Sequence, residues 1–398
     1  MPIETAPLRG DGEPRARLAF CATSFGFGPV SKAVAVADAI RALAPEQELL
    51  FFGSDVTEQY ACASGVFDEV VALDTDAAPD ECVRAAVACD GLVNSLNFEV
   101  LERWDDAMPA QFFLDSLAWM WPEPPAAVSR ARSYLVQDYL LDATASHSPL
   151  PDNTIVVPPI LSPAIQGTRA GWEAEEGYVL VNFGGCRNPI LPPRAYEQYV
   201  STMLSALAVA LGRVREAVRR VLVCGNEQLL ATASAVDWAA AGVPVECRFV
   251  PHAQFVDELR RCERLLTSPG LTATLEALAL DVPCQLLLPQ NYSQFRIDAH
   301  YRSLGLEHAL WPDPIDSEKL RDPSLDEADG VKEVARLVDE QLAGGRVADA
   351  FERLLRAGPE SSITAALRAR VDGWDGSTRI AQHVVREVAA TQPAAAAR

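Results

Sequence analysis

Short apolar runs alternate with amphipathic stretches along most of the chain, and they do so in two successive series. Such alternation predicts parallel strands joined by helices, since a parallel pair needs a crossover long enough to hold one. The first series places strands at 18–21, 48–52, 69–73, 91–94, 110–114 and 133–136, with helical segments clearest at 31–43 and 80–88. The second begins at 178–183 and continues at 220–224, 245–249, 264–267 and 283–288. At 398 residues the chain is long for one core and comfortable for two. The expected fold class is therefore α/β, with two Rossmann-like domains. Residues 1–15 read as a disordered lead-in, 16–160 as the N-terminal domain and 161–177 as a linker in a Pro- and Gly-rich stretch. Residues 178–376 read as the C-terminal domain, 377–390 as a final helix and 391–398 as a disordered tail. Two such units place a cleft where the carboxyl ends of both sheets face each other.

Charge narrows the partners. The net charge of −21, from 34 basic against 55 acidic residues, repels phosphate backbones and anionic lipid. Small-molecule substrates are expected, with no nucleic acid and no membrane, on a monomer or homodimer. An anionic ligand must then be held locally, by backbone N–H groups and a few placed cations. The nine cysteines include no C-x-x-C pair, and Cys21, Cys224 and Cys284 fall in apolar runs, as core residues do. This usage suits a reducing compartment, and the lack of an apolar leader suits the cytoplasm.

Three loops carry candidate chemistry. Ser24-Phe25-Gly26-Phe27-Gly28-Pro29-Val30-Ser31-Lys32-Ala33 follows the first strand and opens a helix. Its glycines permit a tight turn and close backbone approach, and a helix start favours an anion. The G-x-G-x-x-S spacing nearly matches a dinucleotide fingerprint, but Ser31 occupies the third glycine position; a plain structural turn explains it as well. Asn182-Phe183-Gly184-Gly185-Cys186-Arg187-Asn188 ends the first strand of the second series, where Gly184 and Gly185 expose donors and Arg187 offers a fork for phosphate or carboxylate.

The third loop is the most specific. An apolar strand ends in Ser268-Pro269-Gly270, and Leu271-Thr272 begins a helix that carries Glu276. Unpaired N–H groups converge there with the positive helix end, a place for a diphosphate. Glu276 is placed to accept from a ribose diol, and Gln290 and Gln294 follow the next strand, within reach of sugar hydroxyls.

The segment 267–299 resembles the donor-site signature of GT-B glycosyltransferases, most of all the group containing the N-acetylglucosaminyltransferase of lipid II synthesis. Phe249-Val250-Pro251-His252 resembles that family's loop against the nucleotide base, and 26–37 resembles its N-terminal glycine loop. The resemblance implies a GT-B fold whose C-terminal helix crosses back to the N-terminal domain. It also implies a UDP-linked donor as co-substrate, with no other cofactor and no metal. Donor contacts are then expected from Gly184, Gly185, Arg187, Phe249, Val250, Ser268, Gly270, Leu271, Thr272, Glu276, Gln290 and Gln294.

One departure concerns the base. Many members carry a histidine at the glycine loop, where this chain has Pro29. Asp115, at the end of an apolar strand beside aromatics, is the replacement read from the sequence; capping of the next helix is its alternative role. The Gly-Phe-Gly-Pro-Val-Ser-Lys-Ala run, the Asn-Phe-Gly-Gly-Cys-Arg-Asn-Pro loop and the Trp119-Met120-Trp121 segment also resemble the cytosylglucuronate synthases of peptidyl-nucleoside antibiotic pathways. That implies transfer of glucuronate from its UDP derivative to N1 of cytosine or hydroxymethylcytosine. Acceptor contacts are expected from Phe25, Gly26, Phe27, Gly28, Ser31, Lys32, Trp119 and Trp121. The tryptophans would stack a planar base unless they are core packing, and Lys32 or Arg187 would meet the sugar carboxylate.

Asp74-Thr75-Asp76 imitates a metal-binding pair but is read as a solvated turn, and the histidines at 147, 252, 300, 308 and 383 show no ligand spacing. Three alternatives stay open: another small natural-product acceptor, a non-catalytic GT-B-like partner protein, and an NAD(P)-dependent oxidoreductase using the first glycine loop.

Overall fold

A computed structural model describes residues 15–141, 149–165, 173–304, 315–322, 324–359 and 363–391. The lead-in up to residue 14, His147, His308, part of the 161–177 stretch and the tail from 392 lie outside them.

Among the described residues the first sheet holds seven strands: β1 (Arg17–Ala22), β2 (Glu48–Gly53), β3 (Glu69–Ala72), β4 (Gly91–Ser95), β5 (Ala110–Asp115), β6 (Ser133–Gln137) and β7 (Thr154–Val157). Their order is β3-β2-β1-β4-β5-β6-β7, parallel throughout. The second sheet holds β8 (Glu175–Asn182), β9 (Arg220–Cys224), β10 (Val245–Arg248), β11 (Cys262–Thr267) and β12 (Cys284–Leu286), in the order β10-β9-β8-β11-β12. Every strand read from the sequence is present. Among the described residues one was missed: β7, whose Thr-Ile-Val-Val run lies between prolines in the Pro-rich stretch. Strand β8 also begins earlier than expected, inside 161–177.

Each sheet reverses its strand order once, between β1 and β4 and between β8 and β11. Ligand crevices of open α/β sheets form outside the carboxyl ends at such switch points. The strands that flank them are deeply buried. In β1, Leu18, Ala19, Phe20, Cys21 and Ala22 are all fully buried, and Tyr178, Leu180 and Val181 are so in β8. Each large side chain removed from water in this way contributes about 1.5–3 kcal/mol, so the loops at these ends are carried on well-anchored strands.

The final helix, Gly376–Thr391, returns to the first sheet. Its stripe of Ile380, Ala381, Val384 and Val388 packs with Leu18, Val30 and Val34 in one buried cluster. His383 Nε2 lies 2.7 Å from Ser133 Oγ on β6. The start of the helix is pinned as well: Ser377 Oγ donates to Leu161 O at 2.5 Å, and Gly376 abuts the carbonyls of Pro158 and Pro159. Among the described residues, no helix is long and apolar enough to cross a membrane.

Candidate active-site cleft

The loops after β1, β8 and β11 meet around one cavity of about 380 Å³, lined from both sheets. The β1 loop is held from behind. Ser24 N donates to Asp76 Oδ2 at 2.7 Å, and Asn97 Nδ2 donates to Asp76 Oδ1 and to Thr75 Oγ1, each at 3.0 Å. The Asp-Thr-Asp sequence is thus a strut for the glycine loop, with Thr75 buried, and not a merely solvated turn. Gly26 takes φ +67, the left-handed conformation that glycine adopts without strain. The helix Gly28–Leu43 then starts with Pro29 in its first turn, without a side-chain cap and without an acidic residue.

The β8 loop approaches this one across the cleft. Asn182 Oδ1 accepts from Gly184 N at 2.9 Å, and Asn226 Nδ2 donates to Gly185 O. A Cβ added at Gly185 would lie 2.5 Å from Phe27 N and 2.6 Å from Gly26 Cα, so only glycine allows the two loops to touch. Arg187 forms an ion pair with Asp55, at the start of the helix after β2. Its guanidinium, expected free for phosphate, is committed across the cleft.

The β11 loop leads into the helix Leu271–Leu280, which has Gly270 as its N-cap, no side-chain cap bond and no acidic residue in its first turn. Its first-turn residues Leu271, Thr272 and Ala273 line the cavity with Ser268 and Gly270. Glu276 also lines it, although it is almost wholly buried, and Glu276 Oε1 lies 2.6 Å from His252 Nε2. Burial pulls the His252 imidazole down, but the Glu276 carboxylate outweighs it and leaves the group above its ordinary value. Gln290 Nε2 donates to Phe183 O at 3.1 Å, and Gln290 N donates to Gln294 Oε1 at 2.8 Å, so these two glutamines brace the cavity wall that they line.

Lys32 bridges the halves. It is 2% exposed, and its Nζ donates to Thr272 Oγ1 at 3.2 Å and to Ile160 O at 3.4 Å. Burial pushes the ammonium down to about 8, with the charge of Glu276 acting in the opposite sense. Ser31 Oγ lies 3.1 Å from the same Thr272 hydroxyl. These two residues, expected at the acceptor, therefore face the β11 loop.

Of the other residues expected in the site, Phe25, Gly26, Phe27, Gly28, Val250 and Trp121 line the cavity. Three do not. Phe249 stands behind it, its ring 6.4 Å from that of Phe27 and nearly perpendicular. Trp119 is core, with the Arg296 guanidinium 5.5 Å from its ring centroid. Asp115 is fully buried: its carboxylate accepts from Leu117 N at 2.7 Å, Tyr134 Oη at 2.7 Å and Trp121 Nε1 at 3.3 Å. Burial raises it to about 6, against those hydrogen bonds, as its apolar setting suggested. Its place behind Leu117 and Trp121 nonetheless makes it an anchor for the wall, not a group open to a substrate.

The sequence reading missed His252 as a side chain, along with Tyr60, Asn291, Ser293 and Glu327. No spacing signals the His252–Glu276 pair, because only the packing of two separate helices brings it together. Among the described residues no group of three or more His, Cys, Asp or Glu is placed to hold a metal ion.

No protein-family model matches the chain, and no curated protein matches it. Among solved structures it is similar to the spinosyn rhamnosyltransferase SpnG, at 14% identity and TM-score 0.50 over 95% of this chain and 100% of that one. It is also similar to LpCGTa in complex with UDP, at 14% identity and TM-score 0.47 over 95% and 100%. A third is MurG of Acinetobacter baumannii, at 11% identity and TM-score 0.44 over 94% and 100%. Identities this low speak to architecture alone. With its two parallel sheets, its facing switch-point loops and its returning C-terminal helix, the chain has the GT-B fold of two Rossmann-like domains.

Proposed function

We propose that the protein is an inverting glycosyltransferase that uses a UDP-sugar. One observation carries the reading. Two helix starts with no acidic residue in their first turns, at Gly28 and Leu271, open with two glycine loops onto a single cavity. On a chain of net charge −21, that is where a diphosphate finds positive potential.

In this reading the 268–272 turn, Gly184 and Gly185 hold the diphosphate, and Arg187 exchanges Asp55 for the charge that develops as UDP leaves. Glu276, positioned by His252, takes the ribose diol. The helix ends and Arg187 supply this stabilisation without a metal ion or a further cofactor. The acceptor lies toward Phe25, Phe27 and Trp121, and it attacks the anomeric carbon from the face opposite the diphosphate. Closure of the two halves excludes the water that would hydrolyse the donor.

For substrates we favour UDP-glucuronate and the N1 of cytosine or hydroxymethylcytosine. The motif resemblance supports this choice, as do the aromatic wall and the Lys32 ammonium at the cavity. Incubation with UDP-glucuronate and cytosine should give a coupled product by mass analysis. UDP release with a different acceptor would replace that acceptor and leave the class standing. Calorimetry tests the donor site separately: Glu276→Ala should weaken UDP binding by about tenfold, or about 1.4 kcal/mol, and unchanged affinity would remove Glu276 from the site.

A further inference from the structure

The cavity wall contains a carboxyl group that the scheme above leaves without a task. Glu327 opens the helix Glu327–Ala343 and lines the cavity. Its Oε2 is buried and has no hydrogen-bond partner among the described residues. The other charged side chains of the wall are engaged: Glu276 with His252, Arg187 with Asp55 and Lys32 with Thr272. A buried carboxylate oxygen without a donor is costly, so this one is a liability unless a ligand supplies the donor.

Its surroundings place it against the aromatic wall. The helix Tyr292–Ser303 packs beside it so closely that a Cβ on Gly330 would lie 2.5 Å from the Tyr292 ring. Arg296 of that helix donates from Nη1 to Met120 O at 2.9 Å, which ties the second half to the segment carrying Trp121. Trp121 lines the same cavity and stands edge-on to Phe98 at 5.9 Å. The charged and titratable groups that face Glu327 are Arg296 and Tyr292 on the neighbouring helix and Asp326 beside it in sequence. Burial raises the carboxyl to about 7, with Arg296 drawing it down and Asp326 adding to the rise. A group that titrates there is ionised in part near neutrality and still basic enough to accept a proton.

We propose that Glu327 is the proton acceptor of the transfer reaction, a role that rests on the glycosyltransferase reading. An acceptor N–H or O–H, held against Trp121 and Phe98, donates its hydrogen bond to the free oxygen of Glu327. As the acceptor atom bonds to the anomeric carbon, the bond from that carbon to the diphosphate oxygen breaks and its electron pair leaves with UDP. The proton passes to the Glu327 carboxylate and from there to solvent when the cleft opens. This places the base on the second half of the molecule, opposite the glycine loop that lacks a histidine.

The test compares wild type, Glu327→Gln and Glu327→Asp by kcat against pH, with UDP affinity measured by calorimetry on each. Wild-type kcat should fall on the acidic side with a midpoint near 7, the value to which burial lifts Glu327. Glu327→Gln should lose about 100-fold or more in kcat, lack that acidic limb and keep its UDP affinity. Glu327→Asp should retain the limb with intermediate turnover. Near-wild-type kcat in Glu327→Gln, or an intact acidic limb, overturns the proposal. Difference infrared titration needs no turnover: a carboxyl band titrating near 7 should be present in wild type and absent from Glu327→Gln, and its absence from wild type also overturns the role. If wild type binds no UDP and releases none from any UDP-sugar, the glycosyltransferase reading itself fails and takes this role with it.

Discussion

Leu117 donates to one oxygen of Asp115, and Trp121 and Tyr134 donate to the other, so the single oxygen of an amide cannot serve all three. In Asp115→Asn one carboxylate oxygen becomes an NH2. The Tyr134 hydroxyl can rotate and accept, but an N–H of Leu117 or Trp121 is left facing another donor, at a cost of about 1–3 kcal/mol. Trp121 should therefore loosen, raising KM for the acceptor while UDP affinity holds; an unchanged acceptor KM would separate Asp115 from the wall. The same carboxyl sets a pH dependence. Its folded value, about 6, lies above the ordinary 3.8, so the folded chain holds this proton more tightly than the unfolded one. Stability must then fall as pH rises from 3.8 through 6, with the penalty complete above that. Thermal melting across this range should show a shallower decline in Asp115→Asn, and parallel curves would contradict the sign. From the sequence, the strand end and the aromatic neighbours of Asp115 were legible, and with them its raised pKa. Whether it faced the cleft was not, because that depends on how the segment after β5 folds over it.

Among the elements, the strands were the most legible because buried parallel strands are short, apolar and bounded by turn residues. Strand β7 escaped since its four residues sit among prolines, which normally argue against a strand; at the edge of a sheet they do no harm. The helix Val347–Ala357 carries an apolar stripe through Val347, Ala350, Phe351, Leu354 and Leu355, although the sequence reading did not single it out. The entry of Glu327 into the cavity has no sequence signature, because it follows from how one helix leans on another. The two glycine loops illustrate the same limit. Each was recognisable alone, yet nothing in either announces that Gly185 rests on Gly26 and Phe27. Gly185→Ala should hold these loops apart and lower kcat/KM by about 100-fold, the scale of a misplacement near 1 Å. Wild-type kcat/KM in this variant would show that the contact is incidental to turnover.

For the molecule as a whole, the long-range field opposes its proposed substrate. With a net charge of −21, a UDP-sugar approaches against repulsion until it reaches the helix starts of the cleft. Screening should relieve that repulsion. Raising ionic strength from roughly 10 mM to 150 mM shortens the Debye length from about 30 Å to about 8 Å, and the association rate of UDP in stopped-flow measurements should increase with it. A rate that falls with salt would reveal a local positive funnel stronger than the global charge.

The return of the last helix has mechanical consequences. The chain passes from the first sheet toward the second at Pro158–Leu161 and comes back at Gly376 and Ser377, and these two passages touch. Like a door hung on adjacent pins, such a pairing lets the halves swing about one line while resisting sliding and shear. Every opening stroke should then bring the same loops back into register, with the reset built into the hanging of the door.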